Sequence, residues 1–176
     1  MEFTLRRIVA LFPILLLSPL TACGDGDPAA ATAPSDGRPA ASPTRPAAQP
    51  KTEAAVRTAA QDEFDAYAAG EYGEAWDLWT AAGKRMISRA DYEKLHALCP
   101  SATGLRFTIE KVRVSGDSAT VRVSRSIAVF SYTFLYEEGQ WRFVPDKAAA
   151  ADYRYARKAG VAGLAARSKA EGLCTG

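Results

Sequence analysis

The chain has 176 residues, a net charge of +2 and a hydrophobic share of 48%, which together are typical of one globular domain with additional segments. Its lysines and arginines are scattered along the sequence and form no basic stripe, which argues against nucleic-acid binding. The near-neutral balance implies no particular charged partner.

Residues 1–22 have the layout of a secretory signal peptide. Arg6 and Arg7 precede an apolar stretch at 8–20 that contains two prolines. A transmembrane anchor is the alternative reading of this stretch. As a helix, however, it would reach only about 20 Å, which is short of the roughly 30 Å hydrocarbon core of a bilayer.

The four residues Leu20-Thr21-Ala22-Cys23 at the end of this stretch resemble the lipobox of bacterial lipoproteins. The resemblance implies that the Cys23 thiol receives a diacylglyceryl group and that cleavage makes Cys23 the first residue. Two acyl chains anchor a protein firmly, whereas one binds only marginally. We therefore expect a protein that is lipid-anchored to the cell membrane and faces outside the cytoplasm; an ordinary secreted protein is the alternative.

Residues 23–50 are predicted to be a disordered Pro/Ala-rich tether. The part at 24–50 holds six of the ten prolines and no large apolar residue, so it has nothing to bury that would offset its ordering entropy. A binding segment of the mucin type is the alternative. The tether would hold the remaining domain away from the membrane surface.

Residues 51–176 are predicted to form a single α+β domain that begins with helices. The first apolar stripe, at spacings of three and four residues, consists of Val56, Ala60, Phe64 and Tyr67. Gly70 should end this helix. The second stripe consists of Tyr72, Ala75, Trp76 and Trp79, and Gly83 should separate it from a third helix.

The third helix has clear start and stop signals. Ser88 and Asp91 are spaced like a capping box, with Asp in place of Glu, and Pro100 stops the helix. One face of this helix carries Tyr92, Leu95, His96 and Cys99.

The period changes to two after Gly104, which predicts antiparallel strands. Gly116-Asp117 fits a type II′ turn. Its register pairs Val114 with Ala119 and Val112 with Val121. Continued strictly, this register would turn an acidic side chain toward the core. We therefore predict a β-bulge at Glu110-Lys111, which sets Ile109 opposite Val123.

The next strand, at 126–137, is apolar or neutral on both faces, so we expect it to be central in the sheet and covered. Glu138-Gly139 should form a type I′ turn. This turn places four aromatic residues on one face, in the pairs Tyr136–Trp141 and Phe134–Phe143. Asp146 can cap a last helix, whose continuation past Gly160 and Gly163 the sequence leaves open.

Four stretches of the chain carry a family resemblance: FDAYAAGEYGEAWDLW, SRADYEKLHALC, IEKVRVSGDSATVRV and YEEGQWRFVPD. Together they resemble small lipoproteins of the nuclear-transport-factor-two-like superfamily, the cystatin-like α+β cone. Gly70-Glu71-Tyr72 is similar to the break between its first two helices, and Gly139, Trp141 and Arg142 are similar to its terminal hairpin. The resemblance covers about residues 52–146.

The resemblance implies helices packed on one face of a curved antiparallel sheet, with a mouth that can hold a small apolar ligand. Residues 147–176 depart from the usual ending and could cover that mouth. Because the superfamily includes isomerases, cyclases, dehydratases and binding domains, it does not select a function. No position matches the catalytic motifs of its enzymes well enough to carry a role over.

The candidate pocket is an aromatic set with the only histidine: Tyr67, Trp76, Trp79, Tyr92, His96, Tyr132 and Trp141. These aromatic residues could line a cavity or simply form the core. His96 could act as a general base, or it could be a partly buried, hydrogen-bonded histidine. Asp65 and Asp77 lie off the apolar stripes. We predict no metal site, because the cysteines and the histidine lack ligand spacing, and no cofactor.

With Cys23 lipidated, Cys99 and Cys174 remain in a compartment where disulfides form. A bond between them would fix the C-terminal segment to the third helix. The alternative is a buried Cys99 thiol and a loose Cys174.

Two functions remain open. We expect a non-catalytic domain that binds a protein, a cell-wall component or a small apolar ligand. The alternative is an isomerase, cyclase or dehydratase that uses the cavity. An open cavity that holds His96 with a carboxylate in hydrogen-bonding distance would favour the enzyme, whereas a filled interior would favour the binding domain.

Overall fold

The computed structural model describes residues 46–101 and 104–175. The elements of this part of the chain are helices α1 (Glu53–Ala69), α2 (Tyr72–Asp77), α3 (Ala81–Lys84) and α4 (Arg89–Leu98), strands β1 (Phe107–Ser115), β2 (Ser118–Arg125), β3 (Ala128–Glu137) and β4 (Gln140–Val144), and helix α5 (Lys147–Ala170). The class is α+β, as predicted, because helices precede an antiparallel sheet and a helix follows it. The predicted signal peptide, Cys23 and the tether up to residue 45 lie outside the described residues.

The sheet is an antiparallel meander in the order β1-β2-β3-β4. Ile109 pairs with Val123 and Lys111 pairs with Arg122, so Glu110 is the extra residue of the predicted β-bulge. The bulge turns the Glu110 carboxylate outward, where it accepts a hydrogen bond from Arg122 Nε at 2.9 Å. The bulge therefore keeps Ile109 in phase with the apolar inner face.

The backbone of the two predicted turns fits the predicted types. Gly116 has a φ of 60° and is followed by a residue outside the left-handed region, as in a type II′ turn. Glu138 and Gly139 have φ of 51° and 84°, which is the type I′ pattern. The predicted aromatic pairs across this turn are formed.

The strand prediction for 126–137 is partly wrong. β3 does lie inside the sheet, between β2 and β4, but it starts at Ala128 because Ser126 and Ile127 form the preceding turn. Its outer face is not covered: Val129 is 48% exposed, and Ser131 and Thr133 are exposed as well. The apolar and neutral side chains on that face therefore contact solvent and are not covered by a second layer of helices or strands.

The core lies between the inner face of the sheet and the helices. Its fully buried residues include Val56 and Ala60 of α1 together with Val121, Val123 and Phe134 of the sheet. The predicted stripe of α1 therefore faces the sheet. Gly70 ends this helix in the left-handed conformation, with a φ of 82°, as the sequence predicts.

The second helix is shorter than predicted. α2 ends at Asp77, and Trp79 is instead bridged to Phe143 of β4. The Thr80 N–H donates to the Phe143 carbonyl at 2.9 Å, and the Phe143 N–H donates to the Leu78 carbonyl at 3.0 Å. The backbone leaves the helix here because it pairs with the edge strand, whose unpaired groups it satisfies.

Gly83 lies between α2 and α4, as predicted, but it belongs to the short helix α3, which the sequence did not indicate. A Cβ at this position would stand 2.8 Å from Pro145 Cδ. The glycine is therefore explained by the close approach of Pro145 and not by a chain break. The predicted cap of the next helix is present, since the Asp91 N–H donates to Ser88 Oγ at 3.1 Å.

The last residues of the predicted tether pack against the β3–β4 hairpin. The Gln49 N–H donates to the Gly139 carbonyl at 2.8 Å, and Gln49 Oε1 accepts from the Trp141 N–H at 2.7 Å. Trp141 Nε1 donates to the Pro50 carbonyl at 3.1 Å. The ordered domain therefore includes residues that the sequence assigned to the tether.

Asp146 caps helix α5, since its carboxylate accepts from the Ala149 N–H at 2.8 Å. Gly160 has a non-helical φ of 76° and kinks the helix. Beyond the kink, Leu164 is 1% exposed, so the second half of α5 also packs on the domain.

Candidate functional site

A cavity of about 360 Å³ lies between α1, α4, α5 and the inner face of the sheet. Its size falls within the range of small-molecule sites. α1 contributes Glu63, α4 contributes His96, and β3 contributes Tyr132. Both halves of α5 form part of the wall, through Tyr153 before the kink and Leu164 after it.

The structure brings five of the seven predicted pocket residues to this cavity: Tyr67, Trp79, Tyr92, His96 and Tyr132. Trp76 and Trp141 do not line it. Trp76 Nε1 donates to the Ile87 carbonyl at 3.0 Å, and the Trp141 ring packs 5.2 Å from that of Tyr136. These two tryptophans serve the packing of the helices and of the hairpin.

Glu63 lines the cavity but is not among the pocket residues predicted from the sequence. Its side chain is 3% exposed, and Oε1 accepts from Trp79 Nε1 at 3.4 Å. Oε2 accepts no hydrogen bond from the described residues. Burial raises the pKa of this carboxyl to about 8, because the charged form is poorly solvated.

A signal for Glu63 was present in the sequence. Glu63 lies three residues after Ala60, four before Tyr67 and seven after Val56, so it sits on the apolar stripe of α1. A carboxyl inside such a stripe is unusual, because charged side chains are seldom fully buried. The two carboxyls considered from the sequence, Asp65 and Asp77, are both exposed, as their periodicity indicates.

The tyrosines near Glu63 form an aromatic wall with Trp79. The Trp79 ring centroid lies 4.7 Å from that of Tyr92 and 5.8 Å from that of Tyr153. Burial raises the pKa of both tyrosines, and the negative charge of Glu63 adds to the effect. Both hydroxyls therefore keep their protons at neutral pH.

His96 is held by stacking and by a hydrogen-bonded chain. Its ring lies 3.8 Å from the Tyr72 ring, at an interplanar angle of 9°. The Tyr67 hydroxyl donates to Ser101 Oγ at 3.2 Å, and Ser101 Oγ lies 3.3 Å from His96 Nδ1. Burial lowers the pKa of His96 to about 4, so the imidazole is neutral at neutral pH.

Glu63 and His96 line the same cavity, but no hydrogen bond joins them in the described ranges. A carboxyl with a pKa near neutrality can hold or release a proton, and a neutral imidazole can accept one. The arrangement meets only half of the condition that would favour an enzyme, since a carboxyl is present but does not orient the histidine.

The Cys99–Cys174 disulfide is formed, and it joins the C-terminal segment to the end of α4. The Thr175 N–H also donates to the Pro100 carbonyl at 2.8 Å. Cys99 and Leu173 both line the cavity. The disulfide therefore fixes the C-terminal wall of the cavity to the end of α4.

Within residues 46–101 and 104–175, no three acidic, histidine or cysteine side chains are grouped so that they could hold a metal ion. The helices of the same ranges include none that is long and apolar enough to cross a bilayer.

Comparison with known proteins adds no assignment. No protein-family model matches the sequence, and no curated protein matches it.

Proposed function

We propose that this protein is a lipid-anchored, extracytoplasmic lipoprotein whose folded domain binds a small, largely apolar ligand in the cavity. The observation that carries the ligand-binding part is the cavity of about 360 Å³ with aromatic walls and a buried, incompletely bonded carboxyl. Known ligand sites combine an apolar lining with a few polar groups in this way. The helix-then-sheet order supports a cone of the nuclear-transport-factor-two-like type as the scaffold.

The anchoring part of the proposal rests on the lipobox-like residues Leu20 to Cys23. Expression of the full chain in a bacterial host with an alkyne-tagged fatty acid tests it. The unchanged chain should take up the label and sediment with membranes, and Cys23→Ala should lose both properties. Ser18→Ala, a change outside the lipobox, should keep them. A labelled Cys23→Ala chain would refute anchoring at this residue.

Ligand binding is tested by thermal unfolding of the full-length chain in the presence of a set of neutral aromatic and aliphatic fragments. A compound that binds only the folded state raises the melting temperature. Ser168→Trp should abolish the shift, because Ser168 lines the cavity and is half-buried. Lys169→Trp, at the exposed neighbouring position, is the matched control. If no fragment stabilises the protein, or if both variants respond equally, the binding proposal is wrong.

An enzyme of the isomerase, cyclase or dehydratase type is the second candidate. It is favoured by the raised pKa of Glu63 and the lowered pKa of His96 in one cavity, because perturbed groups cluster at catalytic sites. Recovery of a bound ligand after long incubation separates the two candidates. A chemically unchanged ligand supports a binding domain, whereas conversion that Glu63→Gln abolishes supports an enzyme.

A further inference from the structure

The Glu63 carboxyl is the strongest unexplained polar feature of the described residues. It is 3% exposed, its single hydrogen bond, to Trp79 Nε1, is long at 3.4 Å, and Oε2 accepts none. No lysine, arginine or histidine within residues 46–101 and 104–175 forms an ion pair with it. A buried polar atom without a partner is costly, so it marks a place where a ligand group would be bound favourably.

Aromatic rings surround this carboxyl. Trp79, Tyr92 and Tyr153 pack against one another, with the Tyr92 and Tyr153 ring centroids 6.2 Å apart at an angle of 88°. All three line the cavity beside Glu63. The face of an aromatic ring attracts a cation, and tryptophan does so most strongly.

Two acidic groups of the lining, Glu63 and Asp146, form no ion pair among the described residues and favour a cation, whereas Asp152 is paired with Arg167. Glu63, Asp146 and Asp152 are acidic, and Arg125 is basic. The Arg125 guanidinium already lies over two rings, at 5.6 Å from the Phe107 centroid and 5.2 Å from that of Phe130. Burial raises the pKa of Tyr132 and of Tyr153, and the charges of Asp146 and Glu63 add to the rise, although the charge of Arg125 opposes it at Tyr132.

We propose that the cavity binds a small organic ammonium compound, with its charged nitrogen at Glu63 Oε2 and its apolar body against the aromatic walls. The inference rests on the proposed function, because it names the ligand class of the same cavity. An anion would meet the acidic side chains of Glu63 and Asp146, and a purely apolar compound would leave Glu63 Oε2 without a hydrogen-bond partner. An ammonium group can pair with the carboxylate while its apolar body contacts the aromatic lining.

Binding of such a cation exchanges a proton. Without ligand, Glu63 is mostly protonated at neutral pH, because its pKa is about 8. When the ammonium group binds, the carboxyl releases this proton to solvent and pairs with the cation as a carboxylate. The affinity for the cation should therefore increase as the pH rises toward the pKa of Glu63, by up to about tenfold per pH unit, and should level off above that pKa.

The other groups that face Glu63 do not produce this dependence. Tyr92 and Tyr153 have raised pKa values and stay neutral in this range. His96 on α4 has a pKa of about 4 and is neutral as well. Asp146 and Asp152 on the α5 side and Arg125 on β2 are the remaining charged groups of the lining, and Asp152 is paired with Arg167.

The test uses the full-length chain, purified as the cell produces it and held in nanodiscs if it carries lipid. Calorimetry measures the dissociation constants of 2-phenylethylammonium and of 2-phenylethanol, which have the same skeleton with and without the charge. The ammonium group, like that of lysine with a pKa of about 10.4, stays charged from about pH 6 to about pH 9. Glu63→Gln keeps the shape of the protonated carboxyl, and Asp65→Asn removes an exposed carboxylate from the same helix.

The cation should bind more tightly than the alcohol at about pH 9 by at least about tenfold, and its affinity should fall toward about pH 6. Glu63→Gln should lose both the preference and the pH dependence, whereas Asp65→Asn should keep them. If the alcohol binds as well as the cation, or if the cation binds Glu63→Gln unchanged, the ammonium inference is wrong while ligand binding stands. If neither probe binds and the neutral fragments also fail, both proposals are wrong.

Discussion

The interior of the domain has a packed end and a hollow end. The packed end consists of five residues that are each at most 2% exposed: Val56, Ala60, Val121, Phe134 and Trp141. The hollow end is the cavity of about 360 Å³. The same elements contribute to both ends. α1 carries Val56 at the packed end and Glu63 at the hollow end, and β3 carries Phe134 at the packed end and Tyr132 at the hollow end. Residue choice along one helix and one strand therefore decides where the interior is filled.

The two ends are also closed by different means. The packed end is covered by residues 47–50, which are held by hydrogen bonds and by the Lys51–Asp117 ion pair beside them. At the hollow end α5 forms one wall of the cavity, and its C-terminal side is fixed by a disulfide. A wall that borders a cavity has fewer packing contacts on that side, and the covalent bond adds to those that remain.

The largest expected effect lies at the packed end. Phe134→Ala should lower the free energy of unfolding by about 3–5 kcal/mol, because it opens a cavity where the side chain is 1% exposed. Tyr132→Ala, two residues away on the same strand, should cost about 1 kcal/mol, since its half-buried ring already borders open space. Urea unfolding measures both values, and equal losses would contradict the distinction between the two ends.

Removal of the disulfide should affect the hollow end selectively. Cys99→Ala with Cys174→Ala opens a loop with a sequence separation of 75, which should cost about 2–4 kcal/mol. Hydrogen exchange should show lost protection in α5 after Gly160 and unchanged protection in β3 and β4. Chemical reduction of the unchanged protein is the control and should give the same pattern. A uniform loss of protection would mean that the bond stabilises the whole domain.

The packed end could largely be predicted from the sequence, and the hollow end only in part. The alternation of Val112, Val114 and Val121 around a Gly-Asp turn fixed the register, and an acidic side chain that would have faced inward predicted the bulge. The contacts of Trp79 with β4 and of Gly83 with Pro145 join residues more than 60 positions apart. Local periodicity holds no information about such contacts.

The cavity itself depends on which aromatic rings leave space, and periodicity does not record that. Tyr67 and Tyr132 border the cavity while Trp141 packs in the hairpin, although all three lie on apolar faces. Glu63 could have been found as an acidic residue inside an apolar stripe. A carboxylate hydrogen-bonded to His96, which would favour an enzyme, is not found among the described residues; His96 Nδ1 lies beside Ser101 Oγ instead.

The stability of the hollow end should depend on pH through Glu63. Its pKa is raised from 4.5 to about 8 in the folded state. The unfolded chain loses this proton first, so the free energy of unfolding should fall as the pH rises through this window, by of order 1 kcal/mol per pH unit. Glu63→Gln should remove this slope, and Asp65→Asn should retain it. Denaturation curves measured across the window would contradict the burial argument if Glu63→Gln kept the slope.

His96 should act in the opposite direction. Its pKa is lowered from 6.5 to about 4 by burial, so the unfolded chain takes up a proton first as the pH falls. The free energy of unfolding should therefore decrease as the pH falls from about 6.5 toward about 4. His96→Asn offers Ser101 an acceptor but cannot be protonated, and it should flatten this limb. If His96→Asn showed the same decrease at low pH, the decrease would come from other titratable groups.

The smallest expected effect returns to the packed end and asks whether residues 47–50 belong to the fold. Gln49→Ala removes the acceptor of the Trp141 N–H, which is partly buried, and should cost about 1–2 kcal/mol. Gln140→Ala removes an exposed hydrogen bond to the Ala47 carbonyl and should cost at most about 0.5 kcal/mol. Thermal unfolding of the two variants separates a docked segment from a loosely attached one. If Gln49→Ala were as mild as Gln140→Ala, the segment would contribute no more than a surface contact, and the packed end would depend on its side chains alone.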